Sequence, residues 1–168
     1  MPEGLFNILS KEIKNAQRIC ILGAGNVQKG DDGAGPMVIQ ILKEKIKMPK
    51  TENILLIDGG EVPENFTGEI RKFQPELVII FDACISGKKP GSIYLINPER
   101  IIANDISTHR LPLSMFVKFL EETMTTRVIV IGIEPNNLNF GVEISPEVNQ
   151  AVKTLTSFFT EILKNLNY

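Results

Sequence analysis

The chain has 168 residues, 43% of them hydrophobic, which is enough for one packed domain spanning 1–168 and excludes a disordered polypeptide. Eighteen Lys and Arg against twenty Asp and Glu leave a formal charge of −2, which offers no electrostatic case for binding nucleic acid. The two cysteines, Cys20 and Cys84, are too few for a disulfide framework and point to a reducing compartment.

No apolar run approaches the roughly 20 residues needed to cross a bilayer, so no membrane insertion is expected. The opening MPEGLFNILSKEIKN lacks the apolar core and cleavage pattern of a secretory leader, which leaves the cytoplasm as the expected location.

In chain order, Leu5, Ile8, Leu9, Ile13 and Ala16 recur at helical spacing and predict an amphipathic helix over 3–16. RICILGAG is an apolar run broken at glycine and reads as a buried first strand. After a polar loop, GPMVIQILKEKIK spaces Met37, Val38, Ile41, Leu42 and Ile46 along one helix face. The lysines around 43–50, with Glu44 among them, read as the solvated side of that helix and the following loop. ENILLIDGG predicts a second strand ending in Asp-Gly-Gly. ENFTGEIRKF predicts a helix in which Gly68 is unfavourable. ELVIIFDA is a third strand ending at Asp82, and SIYLINP a fourth, stopped by Pro98. LPLSMFVKFLEETM is a helix with Leu113, Phe116, Val117 and Leu120 on one side, and RVIVIGI is a fifth strand. Ser145 and Pro146 supply an N-cap and a first-turn proline for a long last helix, PEVNQAVKTLTSFFTEILKNL.

Strands that are apolar on both faces and alternate with helices predict a three-layer α/β sandwich: a five-stranded, mostly parallel twisted sheet with helices on both faces. One connection is too short for a parallel crossover. Only ACISGKKPG separates the third and fourth strands, whereas a crossover needs about a dozen residues or more. The fourth strand is therefore expected to run antiparallel to the third.

Three places carry candidate chemistry. The first is GAGNVQKGDDGAG after the first strand, where nucleotides bind in doubly wound folds. Gln28 stands where a dinucleotide fingerprint starting at Gly23 needs glycine, and Asp31-Asp32 stand where a P-loop needs Lys-Ser/Thr. Two carboxylates there suit a cation or a positively charged partner. The plainer reading has Asp31 capping the next helix and Asp32 shaping the turn. The second place is Asp82. In a 2-1-3 strand order, Asp32 and Asp82 meet at the crevice outside the carboxyl ends of the strands, with Asp58 on the same rim one strand further out. The third is His109, the only histidine, in ISTHRLPL before a helix. Taken singly, Asp82 also reads as an ordinary turn residue and His109 as a surface or packed histidine; together, one imidazole and two carboxylates can hold a borderline divalent metal with positions left open, or form an acid/base site. Cys84 is read as structural, because the acidic surroundings raise its pKa and disfavour the thiolate.

At these residues the sequence resembles the hydrogenase maturation proteases. The elements ILGAGNVQKGDDGAGP, LLIDGGEVPENF, LVIIFDACISGKKPGSIYLI, STHRLPLS and VIVIGIEP follow the family's order over about residues 18 to 155. VPENF and GIEPNNLNFG resemble the HycI-like branch, which serves formate-hydrogenlyase-like and energy-converting enzymes. The helix over 3–16 lies outside the usual family start. The resemblance implies a hydrolase, an aspartyl-type or metal-dependent endopeptidase. Such an enzyme removes the C-terminal extension of a nickel-iron hydrogenase large-subunit precursor after nickel insertion. It also implies that Asp32, Asp82 and His109 engage the metal, with Asp32 standing where some members have Glu. Asp58 is similar to a residue implicated in recognising or cleaving the substrate. The metal implied is nickel brought by the substrate, with other divalent ions able to substitute. The competing expectations are a Rossmann-like small-molecule or nucleotide binding module, a peptidase of related fold acting on another precursor, and a non-catalytic chaperone that holds the immature subunit.

Overall fold

The computed structural model describes residues 3–46, 52–97 and 112–166. In chain order these form α1 (Glu3–Asn15), β1 (Ile19–Ala24), α2 (Ala34–Ile46), β2 (Ile54–Gly60), α3 (Thr67–Phe73), β3 (Leu77–Ala83), β4 (Ile93–Ile96), α4 (Leu113–Thr123), β5 (Arg127–Ile133) and α5 (Pro146–Lys164). Two short 3-10 turns, Gly30–Gly33 and Pro63–Phe66, lead into α2 and α3.

The strands lie in the order β2-β1-β3-β5-β4. All neighbouring pairs are parallel except β4 on β5, which is antiparallel. The short β3–β4 link thus reverses the chain, as its length demands. β4 does not hairpin onto β3, however; β5 takes that edge of β3, and β4 adds outside it.

Alternating strand residues feed two cores, the consequence of a side-chain period of two. Ile19, Ile21, Ile79, Phe81, Ile129 and Ile131 pack with α1, α2 and α5. Cys20, Leu22, Val78, Ile80, Val128 and Val130 pack with α3 and α4 on the opposite face. β1 and β3 are buried along their whole length, which explains their continuous apolar runs.

The helices follow their predicted spacing closely. Leu5, Leu9 and Ile13 are the buried stripe of α1, Ile8 of the expected stripe is exposed, Ala16 lies just past the helix end, and Glu12 bonds Arg127 of β5 at 2.7 Å. Ser145 caps α5, its Oγ accepting from the Val148 N–H at 3.4 Å. The helix expected over 64–73 divides into the 3-10 turn at Pro63 and the seven-residue α3, which ends at Gln74 in the left-handed region. Lys43 and Lys45 are exposed on α2, as a solvated face should be. No described helix is long and apolar enough to cross a membrane.

Candidate functional site

The loop from β1 to α2 is built on close backbone approaches. Gly25 adopts φ 135°, and a Cβ there would collide with the carbonyl of Asp32. Only glycine meets both demands. The Asn26 side chain closes a local turn by accepting from the Gln28 N–H at 2.8 Å. The Asp32 carboxylate then accepts from the Asn26 N–H at 2.9 Å, so the acid folds back over the loop that precedes it.

Gly35, in the first turn of α2, makes the decisive contact with the sheet. A Cβ at that position would stand 2.5 Å from the Ala24 carbonyl oxygen and 2.6 Å from that of Phe81. The helix start therefore rests directly on the carboxyl ends of β1 and β3. That seat presses the turn bearing Asp32 against β3. β1 sends its helix to one face, while the chain leaving β3 leads to α4 on the other. The strand order and the opposite placement of the helices are those expected to open a crevice outside the carboxyl ends of β1 and β3.

Asp82, opposite Gly132 of β5, is fully buried at the end of β3. The Cys84 thiol donates to its Oδ2 at 3.5 Å. Burial first, and then the Asp82, Glu134 and Asp32 carboxylates, push the Cys84 thiol far above the ordinary thiol range. Asp82 touches the buried sulfur directly, and the turn bearing Asp32 packs against β3, so both buried acids lie near the carboxyl ends of neighbouring strands although 49 residues stand between them in sequence. Cys84 is held as a protonated, structural thiol. Its chief cause is desolvation, with the acidic surroundings adding to it.

Asp58 stands two residues before the end of β2, opposite Gly23 of β1, on the same rim and one strand further out, as the strand order requires. Its Oδ1 accepts from the Gly60 N–H at 3.3 Å, and its Oδ2 from Gln40 Nε2 at 3.4 Å. It is half-buried and faces the α2 side. His109 lies outside the described residues. Among the described residues, no three His, Cys, Asp or Glu side chains are grouped to hold a metal ion. Asp32 and Asp82 contribute two hard oxygen donors. Carboxylate oxygens of that kind can serve as ligands to a divalent ion.

Two carboxylates behave differently from what the sequence suggested. Asp31 does not cap the following helix. Its Oδ2 accepts from the N–H groups of Asn136 and Asn137 at 2.8 and 2.9 Å, and its Oδ1 from the Ser145 N–H at 2.7 Å. Ser145 Oγ adds a contact at 3.0 Å. The reason is distance in the fold: the β5–α5 loop crosses beside the 3-10 turn and offers better-aligned donors than the turn itself. Glu134 was missed altogether. It is buried just beyond β5 and accepts from the Ser86 and Gly87 N–H groups and from Ser86 Oγ, the last at 2.6 Å. The available signal was its place, an acid directly following a strand with no polar face after Arg127.

The sequence profile described as HycI, hydrogenase maturation protease, matches residues 36–162. The hydrogenase 3 maturation protease of Escherichia coli K12 is 36% identical over 136 residues, covering 80% of this chain and 84% of that protein. The crystal structure of a [NiFe] hydrogenase maturation protease, HycI, from Thermococcus kodakarensis superposes with a TM-score of 0.85 at 32% identity, covering 94% of this chain and 99% of that one. The solution structure of the endopeptidase HycI from Escherichia coli gives a TM-score of 0.70 at 34% identity, over 83% of this chain and 87% of that one.

Proposed function

The chain belongs to the hydrogenase maturation protease family, whose members are endopeptidases, and on that premise we propose that it removes the C-terminal extension of a nickel-iron hydrogenase large-subunit precursor once nickel is inserted. The nickel is the precursor's own, and Asp32, Asp82 and His109 recognise it. Other divalent ions can take its place. The reaction belongs in the cytoplasm, where the precursor is made.

The observation that supports this reading is that Asp32 and Asp82 are both buried at the carboxyl edge of the sheet, with the turn bearing Asp32 packed against β3. Two carboxylates and one imidazole leave positions for ligands that stay with the precursor, so the ion can be tested in place. Binding that ion orients the precursor's tail against the rim, where Asp58 meets the chain to be cut. Hydrolysis then adds water across the scissile amide, leaving a carboxylate on the mature subunit and a free amine on the released peptide. The nucleotide reading finds less support. A phosphate loop needs unsatisfied N–H groups, and here the Asn26 N–H is already taken by Asp32.

The test is incubation with a nickel-loaded precursor and with the same precursor lacking nickel, following loss of the tail by mass. Cleavage of the loaded form alone is expected. Equal cleavage of both forms would break the nickel-sensing role, and wild-type activity in His109→Ala would remove that residue from the site.

A further inference from the structure

Two buried carboxylates have no part in the proposed reaction, and both attach to one short segment leaving β5. Glu134 is 3% exposed and Asp31 fully buried. Glu134 grips the loop that follows Asp82, through the N–H groups of Ser86 and Gly87 at 2.9 and 3.1 Å and through Ser86 Oγ. The Tyr94 hydroxyl closes the same junction, at 2.6 Å from the Cys84 carbonyl and 3.2 Å from Glu134. Two residues further on, the segment turns to the other loop. Asn136 and Asn137 donate to the Asp31 carboxylate, while the Asp31 N–H donates back to the Asn137 carbonyl at 2.9 Å.

We propose that residues 134–137 form a brace that sets the position of Asp32 relative to Asp82, with Glu134 and Asp31 as its two positioning residues. Each clamp joins the brace to a different site loop. Glu134 fixes the backbone at Ser86 and Gly87, and Cys84 carries that position to Asp82 through its thiol hydrogen bond. Asp31 fixes the turn whose next residue is Asp32, and Asp32 in turn bonds the Asn26 N–H. Hydrogen bonds to an ionised buried carboxylate are about twice as strong as neutral ones. Several of them on one group leave little freedom to the loops they hold. Catalytic groups need to be held within about 0.5 Å of their working geometry, and this brace spans the two loops that must agree. Its value for catalysis rests on the reading of Asp32 and Asp82 as the groups that meet the precursor.

Amide hydrogen exchange tests the brace without substrate. In Asp31→Asn, exchange at the Asn26 N–H, which reports the place of Asp32, should accelerate at least about tenfold. In Glu134→Gln the same should hold at Ser86 and Gly87. Ile13→Val, a buried change in α1 on the far side of the molecule, serves as the destabilised control and should leave Asn26 unchanged. Wild-type protection of Asn26 in Asp31→Asn would overturn the brace. With a nickel-loaded precursor that the wild-type chain cleaves, Glu134→Gln should lower kcat by about 10- to 100-fold while KM moves less than about threefold. Should Glu134→Gln fail to fold, Ser86→Ala and Tyr94→Phe each remove one contact of the clamp and should lower kcat a few-fold. Unchanged kcat in both would overturn the proposal. Full cleavage by Asp82→Asn would instead break the reading of the site, with the exchange result still deciding the brace.

Discussion

Substituting Gly35 by alanine should damage both stability and cleavage, because one methyl group would be forced between the two strands that seat α2. The added Cβ would stand 2.5 Å from the Ala24 oxygen, 2.6 Å from the Phe81 oxygen and 2.9 Å from the Ala24 nitrogen. Ordinary contacts of this kind begin near about 3.5 Å, so the helix must retreat by about 1 Å. The strands cannot yield instead, since β1 and β3 are central and hydrogen-bonded on both sides. Overpacking of this kind costs about 1–3 kcal/mol. Alanine returns up to about 1 kcal/mol through helix propensity. The net loss falls within about 0–3 kcal/mol and centres on about 1.5 kcal/mol, or about 3–6 °C in Tm for a chain of this size. Retreat of α2 carries Asp32 with it, and a displacement of about 1 Å at a reacting group costs about 100-fold in rate. Gly68→Ala is the matched control: a Cβ there meets nothing within 4 Å in α3, so it should leave cleavage intact and add up to about 1 kcal/mol. Thermal melts and precursor cleavage measured on both variants decide the matter. Wild-type Tm and rate in Gly35→Ala would refute the wedge and the seating of Asp32 derived from it.

Ser145→Ala removes both the α5 cap and a contact to Asp31, and should cost about 1–2 kcal/mol in urea unfolding; a change below about 0.5 kcal/mol would contradict the hydrogen bonds described. Burial raises the thiol pKa of both Cys20 and Cys84 in the folded chain. The folded state therefore holds those protons more tightly than the unfolded chain does. Stability should be flat below the free-thiol value of about 8.5 and fall as pH rises beyond it, by up to about 1.4 kcal/mol per pH unit for each thiol. Cys84→Ser should remove its share of that slope, and a flat profile to pH 10 in the wild type would contradict the burial. Prolonged chelation of the protein alone, followed by removal of the chelator, should leave cleavage of nickel-loaded precursor unchanged. Lost activity restored by added metal would show a resident ion instead.

Much of the frame was legible because it follows from periodicity alone. Runs such as LVIIFDA have no polar face, so they had to be covered on both sides, and the nine residues of ACISGKKPG could not carry a parallel crossover. The partner of the fourth strand was not legible. Ile93–Ile96 is short and only partly buried, and nothing in four such residues specifies whether β3 or β5 receives them. Its place became determined only when β5 claimed the edge of β3. Among the site residues, Asp82 and Asp58 were visible as acids near the ends of apolar strands. Asp32 was distinguished from Asp31 only by resemblance, and His109 falls outside the described residues.

The separation of the two adjacent acids has a geometric origin that the pair Asp-Asp does not display as a sequence. Both lie in the 3-10 turn Gly30–Gly33, where three residues complete a turn and neighbours diverge by about 120°. Two consecutive carboxylates in such a turn cannot serve the same face. One meets the β5–α5 loop and is consumed there by backbone N–H groups of Asn136, Asn137 and Ser145. The other turns back over the preceding loop and accepts from the Asn26 N–H. The tight turn thus lets one short motif do two separate jobs, with the first aspartate anchoring the frame in which the second is presented.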